Sequence, residues 1–142
     1  MESGQLIYGL AEINDAVKLL LSFFDTCSIF TFVGDLGAGK TTLIKILLRD
    51  AGVQDIITSP TFAYMCKYRN SKDQFFYHFD LYRMHSANEF FDAGFDELLY
   101  TPNSWSFIEW PELILPYLKE RTCYISIEHF GEDKRLLNYT IK

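Results

Sequence analysis

Along the chain the apolar positions switch between a helical period and a strand-like period, and the switches outline the elements. Val17, Leu20, Leu21 and Phe24 follow Asn14-Asp15 at helical spacing and predict a first helix. The run "CSIFTFVG" (27–34), rich in β-branched and aromatic residues and ending in glycine, predicts a buried strand. Leu43, Ile44, Leu47 and Leu48 then return to helical spacing until Gly52, a C-terminal stop. "TFAYMCKYR" (61–69) and "FFYHFDLYR" (75–83) are strand candidates around the polar turn 70–73, and a connection this short favours antiparallel pairing. Ser86 to Glu89 has the form of a capping box before Phe90 and Phe91, with Gly94 breaking that helix. "SWSFIEW" (104–110) is a further apolar strand, followed by a helical turn near Leu113 to Leu118. "CYISIEHF" and "LLNYTIK" alternate as a closing hairpin around Gly131-Glu132-Asp133. Strands interleaved with helices predict a three-layer α/β fold with a mixed sheet.

The 142 residues fit one domain, 1–142, without linker, repeat or low-complexity tract. With 49% apolar residues the chain has material for a core, and no apolar run is long enough to span a bilayer. The N-terminus has an acidic residue and no cationic region, which argues against a secretory signal and for the cytoplasm. Cys27, Cys66 and Cys123 lack metal or redox spacing and are expected as buried free thiols. The formal net charge is −6, and no stretch is rich in lysine and arginine. A protein that grips nucleic acid by itself needs a basic face, so any service to nucleic acid is expected to run through a partner.

Chemistry concentrates in "GDLGAGKTTLI" (34–44), where Gly34, Gly39, Lys40 and Thr41 satisfy G-x-x-x-x-G-K-[ST] between a strand and a helix. In such a loop successive backbone N–H groups surround a phosphate, glycines permit the close approach, and the helix N-terminus adds its free donors. Lys40 is placed to reach the β- and γ-phosphates, and the Thr41 hydroxyl to ligate Mg²⁺. A metal–nucleotide site also needs an acid at a strand end. Asp80 closes "FFYHFD" and Glu109 closes "WSFIE". Glu109 is assigned to the metal and Asp80 to a water-positioning role, although strand-end position alone does not rank them. "TSPTF" (58–62) is either a segment that senses the γ-phosphate or an ordinary polar turn, and the residues leave both open. His78, His85 and His129 show no triad or ligand spacing and read as structural or exposed. Tyr82 and Trp110 flank the acids and read as packing, Trp110 with an option as partner surface.

A GTPase would carry DxxG and N-K-x-D, and neither occurs. A small-molecule kinase normally has a substrate domain and an arginine-bearing lid, for which this chain shows no segment. A small-molecule kinase and a nucleotide-dependent binding module remain as the two alternatives. "GDLGAGKTTL", "TSPTF", "HFDLYR" and "EWPE", in this order and spacing, resemble the TsaE (YjeE) family of bacterial P-loop ATPases in tRNA threonylcarbamoyladenosine biosynthesis. The resemblance covers residues from about 10 to 130. It implies a P-loop NTPase-like fold with a mainly parallel central sheet and helices on both faces. It further implies ATP and Mg²⁺, ATP hydrolysis that is weak alone, and action on the threonylcarbamoyl transferase TsaD with its paralogue TsaB. The tRNA is then reached only through that complex. Residue by residue, it assigns the phosphate loop to Gly34, Asp35, Leu36, Gly37, Ala38, Gly39, Lys40, Thr41 and Thr42. It assigns the metal to Thr41 and Glu109, and catalysis to Asp80, Lys40 and Thr58. Ala11 and Glu12 are expected near the adenine.

Overall fold

The computed structural model describes residues 2–60 and 63–142, so Thr61 and Phe62 of the 58–62 segment lie outside the described residues. The chain runs β1 (Glu2–Gly9), a 3-10 turn, α1 (Ile13–Leu21), β2 (Ile29–Val33), α2 (Lys40–Asp50), β3 (Met65–Arg69) and β4 (Phe75–Asp80). It continues with α3 (Ala87–Asp92), α4 (Phe95–Leu98), β5 (Ser104–Glu109), a second 3-10 turn (Leu115–Tyr117), β6 (Thr122–Phe130) and β7 (Lys134–Ile141). These strands form one seven-stranded sheet in the order β1-β7-β6-β2-β5-β4-β3.

The sheet is mixed, as expected, but its parallel character is confined to the middle. β2 pairs parallel with β5 and β6, and β4 with β5, whereas β1, β7 and β3 attach antiparallel at the two sides. Short connections explain two of these pairs, because β3–β4 and β6–β7 are hairpins and a hairpin reverses direction, whereas β1 joins β7 from the other end of the sequence. β1 was not expected from the pattern. "ESGQLIYG" is half polar, carries two glycines and pairs only with β7, so it has little of a buried strand's signature.

Alternation along the central strands sends side chains to two separate cores. Phe30 and Phe32 of β2 pack with Ala16, Val17 and Leu20 of α1 and with Leu43, Ile44, Leu47 and Leu48 of α2. Ile29 of the same strand packs on the other face with Phe79, Phe90 and Ile108, under α3 and α4. Helices therefore cover both faces, and each buried aromatic or aliphatic side chain contributes about 1.5–3 kcal/mol. Ser86 does precede α3, but its side chain makes no cap; the Glu89 carboxylate instead accepts the His85 N–H at 3.3 Å. All three cysteines are free; Cys27 and Cys123 are buried as expected, while Cys66 on β3 is half-buried. Among the described residues no helix is long and apolar enough to cross a membrane.

The far end of the β3–β4 hairpin is tied to α2 by Asn70. Its Nδ2 donates to the Ala51 carbonyl at 2.8 Å and to Gln74 Oε1 at 2.7 Å, while its Oδ1 accepts the N–H groups of Lys72 and Gln74. Removing this buried amide strands donors and acceptors that water does not reach freely. Asn70→Ala is therefore expected to cost about 1–3 kcal/mol. Urea unfolding measures it, and a loss below about 0.5 kcal/mol, the range of ordinary surface changes, would show that the hub is dispensable.

Candidate functional site

β2 delivers the chain at Val33 to a glycine loop, and α2 takes it up again at Lys40. Gly34 crosses β6 so closely that a Cβ there would lie 2.5 Å from the Ile127 carbonyl oxygen. Gly37 and Gly39 adopt φ of +82° and +100°, where a side chain is strained, and neither faces any atom within 4 Å of a Cβ position. The loop is thus pinned to the sheet at its start and open on its inner side. Gly39 is the N-cap of α2 and no side chain caps that end, so the first N–H groups of an eleven-residue helix point outward without intrahelical partners. The Ala38 N–H donates to the Asp35 carbonyl at 3.0 Å, and Arg135 Nε of β7 donates to the Ala38 carbonyl at 3.0 Å, which fixes the loop from outside.

A cavity of 220 Å³ opens beside the loop. Leu36, Gly37, Gly39, Lys40, Thr41 and Thr42 line it from the loop and helix. Asp80 and Glu109 line it from the ends of β4 and β5, and Trp110 closes it. The two acids are register partners in the parallel β4–β5 pair, which is why both strand-end carboxylates reach one place. Gly34, Asp35 and Ala38 shape the loop without lining this cavity.

Lys40 is 4% exposed. Its Nζ donates to the Gly34 carbonyl and lies 3.6 Å from the centroid of the Trp110 ring. Burial pulls its pKa below the ordinary lysine value, and Glu109, Glu112, Asp80 and Asp35 push it partly back. Glu109 is 2% exposed and holds a donor on each oxygen. Thr41 Oγ1 donates to Oε1 at 2.7 Å, and His78 Nε2 lies 2.7 Å from Oε2. Asp80 accepts the Tyr82 N–H at 3.0 Å. Burial raises its pKa above the usual carboxylate value and the neighbouring Glu109 adds to this, while the Tyr82 N–H, His78 and Lys40 oppose it.

The structure thus gathers the loop, Lys40, Thr41, Asp80 and Glu109, but not Thr58. Thr58 is exposed and tied to β3: its N–H donates to the Tyr68 hydroxyl at 3.0 Å, and that hydroxyl donates back to its carbonyl at 3.0 Å. A second cleft of 350 Å³ lies across the loop, sharing Gly37, Gly39 and Thr42 with the first. Tyr8, Leu10, Ile13 and Arg135 line it; Leu10 and Ile13 flank Ala11 and Glu12, which are not among its lining residues. Three contributors were not assigned to the site from sequence, although Trp110 and His78 were read there as packing, partner-surface or structural residues. Arg135 comes from the last strand. Trp110 covers Lys40 and touches the exposed Tyr82, with ring centroids 4.9 Å apart. His78 is fully buried, and its position two residues before Asp80 on one strand, hence on the same face, was the available signal.

A family profile described as "Threonylcarbamoyl adenosine biosynthesis protein TsaE" matches residues 8–137. The chain is 35% identical over 129 residues to the tRNA threonylcarbamoyladenosine biosynthesis protein TsaE of Bacillus subtilis, covering 91% of this chain and 79% of that protein. It is 37% identical over 108 residues to the protein of that name from Treponema pallidum, covering 76% of this chain and 78% of the relative. The crystal structure of Bacillus subtilis YdiB superposes with a TM-score of 0.70 at 29% identity, over 99% of this chain and 88% of that one. The profile match over nearly the whole chain, joined by relatives that share more than a third of their aligned residues, places the chain in the TsaE family, named for tRNA threonylcarbamoyladenosine biosynthesis.

Proposed function

We propose that the protein is a Mg²⁺-dependent P-loop ATPase that acts in the cytoplasm on a TsaD–TsaB-like transferase complex and supports repeated rounds of tRNA threonylcarbamoyladenosine formation. The observation that carries this reading is the convergence of a glycine loop, a free helix N-terminus, Lys40, Thr41 and Glu109 on one cavity.

The residues fit a metal–nucleotide pair. Gly37 and Gly39 leave open the space that side chains would fill, and the donors of α2 face it. Lys40 is a nearly dry ammonium held by a carbonyl and a ring, both weaker partners than a phosphate oxygen. Among the described residues no three His, Cys, Asp or Glu side chains gather to hold a metal unaided. Mg²⁺ suits such a place, since it is usually held by one or two protein groups together with phosphates and water. Thr41 and Glu109 would hold it there, and when bound it supplies charge neutralisation at the β- and γ-phosphates. Asp80, beside Glu109 yet not bonded to Thr41, is left to orient water. The second cleft, reached across the same loop, suits the nucleoside portion.

The partner enters through the surface. Phosphate competes with the Trp110 ring for Lys40, and Trp110 is in ring contact with Tyr82, which is 55% exposed. Nucleotide occupancy thereby reaches the exposed Tyr82 through Trp110. A nucleotide shifts a docking equilibrium only by its differential affinity for the two states, and this contact supplies a source of difference. The net charge of −6 agrees with a partner, not this chain, holding the tRNA.

Lys40→Ala removes a charge-assisted contact and is expected to weaken ATP binding about 10- to 100-fold, corresponding to roughly 1.5–3 kcal/mol. Isothermal titration calorimetry measures it, and unchanged affinity places the nucleotide elsewhere.

The two acids separate by phenotype. Glu109→Ala is expected to raise the Mg²⁺ requirement for binding, whereas Asp80→Ala leaves affinity intact and lowers turnover about 10²-fold, the lower range for a proton-handling or water-orienting group. Reversed phenotypes in parallel binding and hydrolysis assays overturn the assignment.

The purpose of hydrolysis is tested by reconstituted threonylcarbamoyladenosine formation over several turnovers. With ATP available, the full chain is expected to sustain repeated cycles that stall when it is omitted or preloaded with a non-hydrolysable analogue. Equal progress without the protein, or with only the analogue bound to it, removes the role.

A further inference from the structure

Of the three histidines only His78 is withdrawn from water; His85 and His129 are exposed. On β4 it stands between Cys66 of β3 and Phe107 of β5 as register partners. Its Nε2 meets Glu109 Oε2 at 2.7 Å, and among the described residues its Nδ1 has no hydrogen-bond partner. A neutral ring protonated on Nε2 satisfies the first nitrogen and leaves the second a bare acceptor. Packing alone gives no reason for this residue, because an apolar ring would fill a dry position without an orphaned nitrogen. What the imidazole adds is one directed donor on one carboxylate oxygen.

The other oxygen completes the argument. Thr41 Oγ1 donates to Glu109 Oε1 at 2.7 Å, so its single hydrogen is committed and only its lone pairs remain to be offered. That arrangement holds as long as the carboxylate cannot rotate. We propose that His78 is a positioning residue for the divalent cation: by donating Nε2–H to Oε2 it locks the Glu109 carboxylate, whose Oε1 then turns the Thr41 oxygen toward the metal. The proposal rests on the metal–nucleotide reading above and adds a buried partner that no ligand-spacing argument identifies. Groups that orient a metal's own ligands commonly change metal affinity 10- to 100-fold when removed.

The test is a Mg²⁺ titration of the full-length protein with a fluorescent ADP analogue, beside binding in EDTA and thermal melts. His78→Phe is expected to need about 10-fold more Mg²⁺ for half-maximal binding with affinity in EDTA held near wild type, and to melt lower because Glu109 Oε2 loses its donor. His78→Gln carries an amide donor to about the Nε2 position and is expected to restore the requirement to within about threefold. His78→Asn, whose amide stops near Nδ1, is expected to behave like the Phe variant, which keeps the comparison available should Phe disturb folding. A Phe variant with the wild-type Mg²⁺ requirement overturns the positioning role alone. So does a Gln variant as impaired as Asn. Wild-type binding that ignores Mg²⁺ overturns the metal reading with it.

Discussion

A carboxylate withdrawn from water is costly unless donors replace the lost hydration, and Glu109 is in that position at 2% exposure. Thr41 from α2 and His78 from β4 provide those donors, and Lys40 adds an opposite charge nearby. Three elements distant in sequence must therefore arrive together. The β4–β5 register does this by setting Asp80 opposite Glu109 and His78 opposite Phe107. A slip of β4 by one residue would turn His78 into the opposite core, among Phe79, Phe90 and Ile108, and leave Glu109 Oε2 without its donor.

The same register argument explains why the two cores differ. The face under α1 and α2 is built from Phe30, Phe32, Phe76, Phe107 and the helix leucines, and it carries the polar cluster at its loop end. Rings stacked as Phe30 on Phe107 and Phe76 on Trp105 make that face stiff, so the β2 and β5 ends hold their spacing. The loop is then fixed from two further sides. Gly34 lies against the Ile127 carbonyl of β6, and Arg135 of β7 holds the Ala38 carbonyl. β6 of the parallel group and β7 added antiparallel beside it thus serve the loop as well as the sheet.

What the sequence disclosed follows from how local each feature is. The strand, glycine loop and helix over 27–50 are contiguous, and their turn and period signals were readable without any knowledge of neighbours. The two acids were readable as strand ends, but their adjacency depended on a pairing that sequence distance hides. His78 looked like an isolated histidine because its partner lies 31 residues away on another strand. β1 was invisible for a different reason: an edge strand half open to solvent needs little apolar alternation once β7 supplies its hydrogen bonds. Thr58 had suggestive chemistry and a suggestive place in the chain, yet its backbone is bonded to Tyr68 of β3 and it is not among the residues that line the cavity.

Trp110 shows how the site reaches the surface. It follows Glu109 directly and adopts φ of +55°, a conformation that costs a non-glycine residue about 1–3 kcal/mol. The turn holds because it sets the indole over Lys40 and against Tyr82, contacts of about the same magnitude when one side is dry. On the proposed reading, a phosphate that draws Lys40 away removes one of the two supports while leaving the backbone strain in place. The remaining support is Tyr82, itself two residues beyond Asp80 and bonded to it through its N–H. Both strand-end acids are therefore wired to the same aromatic pair, the half-buried Trp110 and the exposed Tyr82, Glu109 through the adjoining peptide and Asp80 through a hydrogen bond. On that same reading, a partner surface that contacts Tyr82 and Trp110 would read the state of the loop without touching the nucleotide.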